Sequence, residues 1–261
     1  MKELNLDDIH RVLLEIAKAF DKICAENRIP YYMIGGTMLG AIRHKGFIPW
    51  DDDMDFGVPF EHYERMIRVM NENLPKPYRC STFSTNRAHF MPFVKIEDSS
   101  TILDDKQVPL PLIEKMGVNI DIFPLYCCDK DVSRLNSIVT PTNIGNKIYT
   151  DSATRGLLTK AIKKTLRLIC PFNLSWFNQK SLNRASELKT GPYLSNVFGR
   201  WGIKEYCPIE WYGDKRYTFE GFSFKGIESY DLYLTQLYGD YMKLPPKEKQ
   251  YTHSESAYIK G

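Results

Sequence analysis

Apolar side chains fall at Ile9, Val12, Leu13, Ile16, Ala17, Phe20 and Ile23, three or four positions apart. This spacing predicts an amphipathic helix over residues 7–27, with Asp7 or Asp8 as its cap. Pro30 closes the turn that follows, and residues 31–34 read as a short strand. Gly35-Gly36-Thr37 then opens a second short helix to about residue 43, and residues 46–50 form a bend. Beyond it Met54, Phe56 and Val58 alternate with other residues in the manner of a half-buried strand. Helical spacing returns at Tyr63, Met66, Ile67 and Met70, within residues 61–73. Residues 90–96 and 119–124 read as further strands.

From residue 129 to residue 196 the pattern changes to helices broken by Pro141 and Pro171. Within that stretch Leu157, Leu158, Ala161, Ile162, Leu166 and Ile169 make an apolar side, and Lys160, Lys163, Lys164 and Arg167 make a basic one. Such a helix lies on an anionic membrane surface, or it docks its apolar side on the protein and leaves its lysines in water, which is the commoner arrangement. Residues 217–227 alternate aromatic and polar positions and include Gly221 and Gly226, which predicts a hairpin. A helix capped near Ser229 follows, and it runs into a turn ending at Pro245-Pro246. The whole reads as an α+β protein: residues 1–128 a catalytic core, 129–200 a helical appendage, 201–261 a hairpin and helix completing the core.

The acidic residues change this from a fold to a candidate enzyme. Asp51, Asp52, Asp53 and Asp55 crowd five positions. On an extended strand residues i and i+2 project from the same face, so Asp53 and Asp55 can share one cation. Solvated loops are the usual home of acidic runs, but Met54 and Phe56 place this one in an apolar setting, where unpaired carboxylates are costly. Hard oxygen ligands of this kind suit Mg2+ or Mn2+. Upstream, the Gly35-Gly36-Thr37 turn aims backbone N–H groups forward from a helix start, and the Thr37 hydroxyl adds a donor for phosphate oxygens. Asp121, a single acid between Ile120 and Ile122, is a candidate third carboxylate. A lone buried aspartate more often caps or hydrogen-bonds, and the Asp53/Asp55 pair is what turns the balance.

Composition excludes little else. Thirty-five Lys and Arg against thirty-two Asp and Glu give a net charge of +3, too near balance to imply a nucleic-acid binder by itself, so any basic surface must be local. The six cysteines are scattered without a C-x-x-C pair or zinc spacing, which reads as reduced and structural. The first twenty residues lack the apolar core of a signal peptide and no 18-residue apolar run occurs, so a cytoplasmic location is expected.

The order of strand, Gly-Gly turn, short helix, Asp-x-Asp strand and later single-Asp strand resembles the nucleotidyltransferase fold typified by DNA polymerase beta, a mixed sheet flanked by helices. More narrowly, GGTMLGAIRHKGFIPWDDDMDFGV, NIDIFPL and YDLYLTQLYGDYMKLPP resemble the core, third-acid strand and C-terminal block of the LicD family, across most of the chain. The resemblance implies transfer of phosphocholine or another phospho-alcohol from a CDP-linked donor to a glycan hydroxyl of a teichoic acid, capsule or lipopolysaccharide. The acceptor would be lipid-linked in some cases, with peripheral contact at the cytoplasmic face of the membrane. Fukutin-related members carry an inserted cysteine zinc site, to which Cys127 and Cys128 offer no counterpart.

On that reading Asp53, Asp55 and Asp121 hold Mg2+ or Mn2+, and Asp121 also acts as general base. Arg43 offers its planar fork to phosphate oxygens, with His44 and Lys45 beside it, although the three also suit a solvated turn. Trp50 suits either a nucleobase or choline-like cation, or a structural plug. His253 matches a family position without a defined role. Two rivals remain: a nucleotidyltransferase leaving NMP on a small acceptor, and a non-catalytic glycan or membrane-surface adaptor.

Overall fold

Asn5 starts the first helix. Its side chain accepts the Asp8 N–H while the Asp8 carboxylate turns back to the Asn5 N–H, a reciprocal capping box. The sequence expectation of Asp7 or Asp8 as cap is thereby corrected: Asp8 is the returning half of the box. In the computed structural model, residues 1–86, 89, 91–105, 115–149, 157–170, 173–188, 190–250, 252 and 254–260 are described. The expected roles of Phe90, Pro171 and His253 fall outside them.

In chain order the elements begin with β1 (Lys2–Leu4), α1 (Leu6–Glu26), β2 (Tyr32–Met33), α2 (Gly35–Arg43), β3 (Asp55–Pro59) and α3 (Phe60–Asn73). Then come β4 (Tyr78–Ser81), β5 (Val94–Asp98), β6 (Thr101–Asp105), β7 (Asn119–Cys128), α4 (Val132–Tyr149), α5 (Leu157–Ile169) and α6 (Leu174–Ala185). The chain closes with β8 (Tyr193–Ser195), β9 (Tyr206–Pro208), β10 (Arg216–Phe219), β11 (Phe222–Lys225), α7 (Tyr230–Tyr238) and β12 (Ser254–Ile259).

The central sheet is mixed and runs β2-β3-β7-β5-β4. Only β3 and β7 pair in parallel there; β2 with β3, β5 with β7 and β4 with β5 are antiparallel. Strand β7 is ten residues long, and its far half pairs with β8, which carries β9. A separate antiparallel sheet, β1-β12-β6, ties the first residues to the last. β10 and β11 form the expected hairpin, turning at Glu220 and Gly221, both at positive φ.

The largest core gathers Leu13, Ile16 and Phe20 of α1, Met38 of α2, Phe56 of β3, Ile120 and Ile122 of β7, and Tyr233 and Leu234 of α7. A smaller cluster of Tyr126, Cys128, Leu135, Ile138, Ala185, Leu188 and Val197 joins α4 and α6 to the far end of β7. All six cysteines are unpaired.

Two expectations in the helical stretch are overturned. Pro141 does not break a helix but sits inside α4. Having no N–H, it leaves the Ser137 carbonyl without its helical partner, and Arg184 Nη1 of α6 donates there instead at 2.5 Å. The basic helix α5 is present, but its orientation is the reverse of a helix docked by its apolar side. Lys163 and Arg167 are half-buried toward the protein, while Ala161, Ile162, Leu166, Leu168 and Ile169 are exposed.

Candidate functional site

Strand β3 enters its parallel pairing with β7 at Asp55, and its register partner there is Asp121. The neighbours on either side, Met54 and Phe56 on one strand and Ile120 and Ile122 on the other, are fully buried in the core. Register therefore sends the carboxylates of Asp55 and Asp121 to one face of the sheet, and Asp53, two residues ahead of the strand start, is close enough for its charge to act on Asp55. The Asp121 N–H donates to the Met54 carbonyl at 2.8 Å, which locks that register.

The glycine turn stands directly against these acids. Gly35 has φ +53, a left-handed conformation that favours glycine, and a Cβ there would lie 3.3 Å from Asp55 Oδ2. A Cβ on Gly36 would lie 2.9 Å from Asp51 Oδ2. Any larger side chain would push against the acid cluster, so glycine is what allows helix α2 to begin here. Helix α2 has no side-chain cap. Thr37 Oγ1 accepts the Asp55 N–H at 2.7 Å, which leaves its hydroxyl proton to donate elsewhere. The Gly35 N–H donates to the Tyr233 hydroxyl at 2.7 Å, and that hydroxyl donates to Glu205 Oε1 at 2.6 Å.

Crowding shows in the acidities. Asp55 is half-buried as a residue, but its carboxyl lies in the interior. Burial first, then the charges of Asp53, Asp121, Asp51 and Glu205, push it well above the usual carboxylate range. Asp51 is pushed up to about 8 by burial, by Asp53 and Asp52 and by a hydrogen bond with Asp53, with Arg200 pulling the other way. Buried carboxylates that raise one another in this way form a donor set that fits a divalent cation, which would relieve both desolvation and repulsion. They are adjacent without being closed: among the described residues no three His, Cys, Asp or Glu side chains already converge as a metal cage.

Lys95 accounts for part of that openness. It is the cross-strand partner of Asp121 on β5, and its Nζ donates to Asp121 Oδ1 at 2.5 Å and to Asn119 Oδ1 at 2.9 Å. His10 on α1 contributes at another edge, with Nε2 2.6 Å from the Asp51 carbonyl and its ring stacked on Phe47 at 3.9 Å. Sequence reasoning missed Lys95, Glu205, Tyr233, His10 and Arg200. The alternation of β5, Val94-Lys95-Ile96, was the one available signal, since it puts Lys95 on the opposite side of the strand from two buried residues. The other four depend on long-range packing.

The remaining sequence candidates sit at the far end of α2. Arg43 Nη1 donates to the Tyr241 carbonyl at 2.7 Å and Nε to His44 Nε2 at 2.9 Å. Burial lowers the Arg43 pKa, and burial together with Arg43 lowers that of His44. Lys45 is exposed at φ +62. Trp50 is half-buried, edge-on to His44 at 6.4 Å. The structure thus brings Gly35, Gly36, Thr37, Asp53, Asp55 and Asp121 together, and gathers Arg43, His44 and Trp50 as a second group with Lys45 beside it.

Residues 28–137 match a family described as LicD/FKTN/FKRP, nucleotidyltransferase domain. That span holds the glycine turn, both acidic strands and Lys95. The whole chain is also similar to the lipopolysaccharide cholinephosphotransferase LicD of Haemophilus influenzae, 33% identical over 271 aligned residues that cover 99% of this chain and all of that protein. A shorter match, 39% identical over 51 residues, reaches the human ribitol 5-phosphate transferase FKRP, covering 20% of this chain and 10% of the relative.

Proposed function

The chain belongs to the LicD family of phosphotransferases, and we propose that it transfers a phospho-alcohol, phosphocholine or a similar group, from a CDP-linked donor to a hydroxyl of a cell-surface glycan. The observation that carries this reading is the parallel register of Asp55 with Asp121, two residues after Asp53 and against the Gly35-Gly36 turn. In this reading residues 1–128 and 201–261 form a catalytic core of nucleotidyltransferase type, and residues 129–200 are an appendage.

Asp53, Asp55 and Asp121 would hold Mg2+ or Mn2+, which when bound supplies charge neutralisation to a diphosphate. The rest falls to the chain itself. Gly36 and Thr37, at the uncapped start of α2, present N–H and hydroxyl donors to phosphate oxygens. Asp121 receives the proton of the acceptor hydroxyl as its oxygen bonds to phosphorus, while the P–O bond to CMP breaks and CMP leaves with the electron pair. Lys95 holds Asp121 in place and balances its charge. Arg43 spends two of its nitrogens on Tyr241 and His44, and its remaining Nη2 serves the donor phosphates. His44 and Lys45 line the same approach, and Trp50 offers an aromatic face to the base or to a quaternary ammonium.

The test is CMP release from a panel of CDP-alcohols with Mg2+ or Mn2+, with and without candidate glycans. Metal-dependent CMP from one donor is the expected result. Pyrophosphate release from NTPs in place of CMP would overturn the reading in favour of nucleotidyl transfer.

A further inference from the structure

Helix α5 is attached by the side that water should have kept. Arg167 Nε donates to the Ile148 carbonyl at 2.8 Å, in the last turn of α4, where a cation also complements the helix dipole. Lys163 shares that half-buried side. The opposite side carries Ala161, Ile162, Leu166, Leu168 and Ile169 in the open; Leu168 is 79% exposed and Ile169 70%. Thr165, placed among them, turns its hydroxyl back to the Ala161 carbonyl at 3.1 Å, so even the polar atom on this side is satisfied within the helix. A helix whose apolar face points to water over residues 161–169 has lost the burial that normally stabilises such a helix.

We infer that the outward face of α5 is a docking surface for an anionic phospholipid bilayer, on which the helix lies flat with its apolar side chains among the acyl chains. Charge decides this occupant. Residues 129–189 hold eleven Lys and Arg and four Asp and Glu, whereas the whole chain has a net charge of only +3, so the remainder is acidic. No acid lies within α5, and Lys164, four residues before Leu168, is itself exposed. A second copy docking here would set two such basic segments against each other. An anionic surface instead attracts each charge and accepts the apolar face. At about 1.5 Å per residue the 13-residue helix is about 20 Å long, too short to span a bilayer and suited to lying in its interface. Among the described residues no helix is long and apolar enough to cross a membrane.

The proposal does not depend on the chemistry at Asp55, and its test uses no turnover. The full chain is sedimented with vesicles of phosphatidylcholine alone and of phosphatidylcholine with phosphatidylglycerol. Binding is expected to the anionic vesicles only. Lys164→Glu is expected to weaken it by more than about fivefold, since removing one charge near such a surface already has about that effect. Leu168→Ser with Ile169→Ser is expected to weaken it by more than about tenfold, with the melting temperature unchanged because both side chains are exposed. Failure of the native chain to bind anionic vesicles, equal binding to neutral ones, or wild-type binding by both variants would overturn the proposal. So would a dimer in sedimentation velocity that Leu168→Ser with Ile169→Ser converts to monomer, because it would assign the face to a second copy.

Discussion

Asp55 and Asp121 face each other across the parallel pairing of β3 with β7, with buried hydrophobic residues on both sides of each acid. Two carboxylates fixed as register partners cannot move apart without breaking the ladder. Their repulsion is therefore a permanent property of this fold, and it rises further because Asp53, Asp51 and Glu205 act on the same interior carboxyl.

Asp55→Asn removes one charge at constant shape. We expect the metal-free variant to melt at or above the wild-type temperature, since the lost group was held charged only at a cost. Wild-type protein should gain about 5–10 °C with Mn2+ at about 100 times its dissociation constant, and the variant should gain almost none. Turnover should fall by about 1,000-fold or more, the scale of several kcal/mol of charge stabilisation. Calorimetry with and without Mn2+ checks the first two; an unshifted wild-type melt would refute the cation site.

Lys95 competes with any cation for Asp121, because its ammonium already sits on Oδ1. Lys95→Met keeps the stem and deletes the charge. Divalent binding should tighten, as one repelling positive charge is gone, while turnover drops by about 10- to 100-fold because Asp121 loses the group that orients it. Titration calorimetry with Mn2+ separates these opposite effects. Weaker binding in the variant would show that the ammonium supports the site in some other way.

The central strands and the glycine turn were legible because alternation and the Gly35-Gly36-Thr37 tripeptide are local signals, and the acids announced themselves by standing where apolar residues belong. Glu205 and Tyr233 were not legible. Nothing near Glu205 marks it as buried, and Tyr233 looks like one aromatic among many on α7. Their role exists only once the chain has returned 198 residues later to place the Tyr233 hydroxyl on the Gly35 N–H. The α5 helix shows the same limit from the other direction. Its periodicity was plain, but which side would face the protein depended on whether a carbonyl such as that of Ile148 was waiting for Arg167.

Glu205 is buried and its pKa is pushed up to about 7, mainly by burial, against the lowering effect of hydrogen bonds from Tyr233 and Asn196. The native carboxyl thus keeps its proton where the unfolded one, near 4.5, has lost it. This group's contribution to stability is present at low pH, falls as pH rises from about 4.5 to about 7, and is constant above. Glu205→Gln should remove that slope. Its amide keeps an acceptor for Tyr233, and its NH2 can donate to Asn196 Oδ1, which has no partner in the native site, once that amide turns. At pH 8 the variant should melt about 3 °C or more above the wild type, and at pH 4 the two should coincide. Parallel melting curves across that range would show that the native Glu205 carboxyl titrates where the unfolded one does.

Arg43 joins the end of α2 to the C-terminal segment through the Tyr241 carbonyl, and this dual engagement sets up a test of what the guanidinium is for. Arg43→Lys keeps a positive charge but has no fork, so it cannot hold Tyr241 and His44 and still reach a phosphate. Losing one such hydrogen bond at a half-buried position costs about 1 kcal/mol, or roughly 2–4 °C of melting temperature. If the fork also grips the donor, turnover per folded molecule falls by more than about tenfold, beyond anything that small destabilisation explains. We expect that larger loss. Activity that merely tracks the folded fraction would make Arg43 a strut for the C-terminal segment, and the diphosphate would then have to be held by the α2 start and by other cations near the acids, with Arg200, already acting on Asp51, the first to replace.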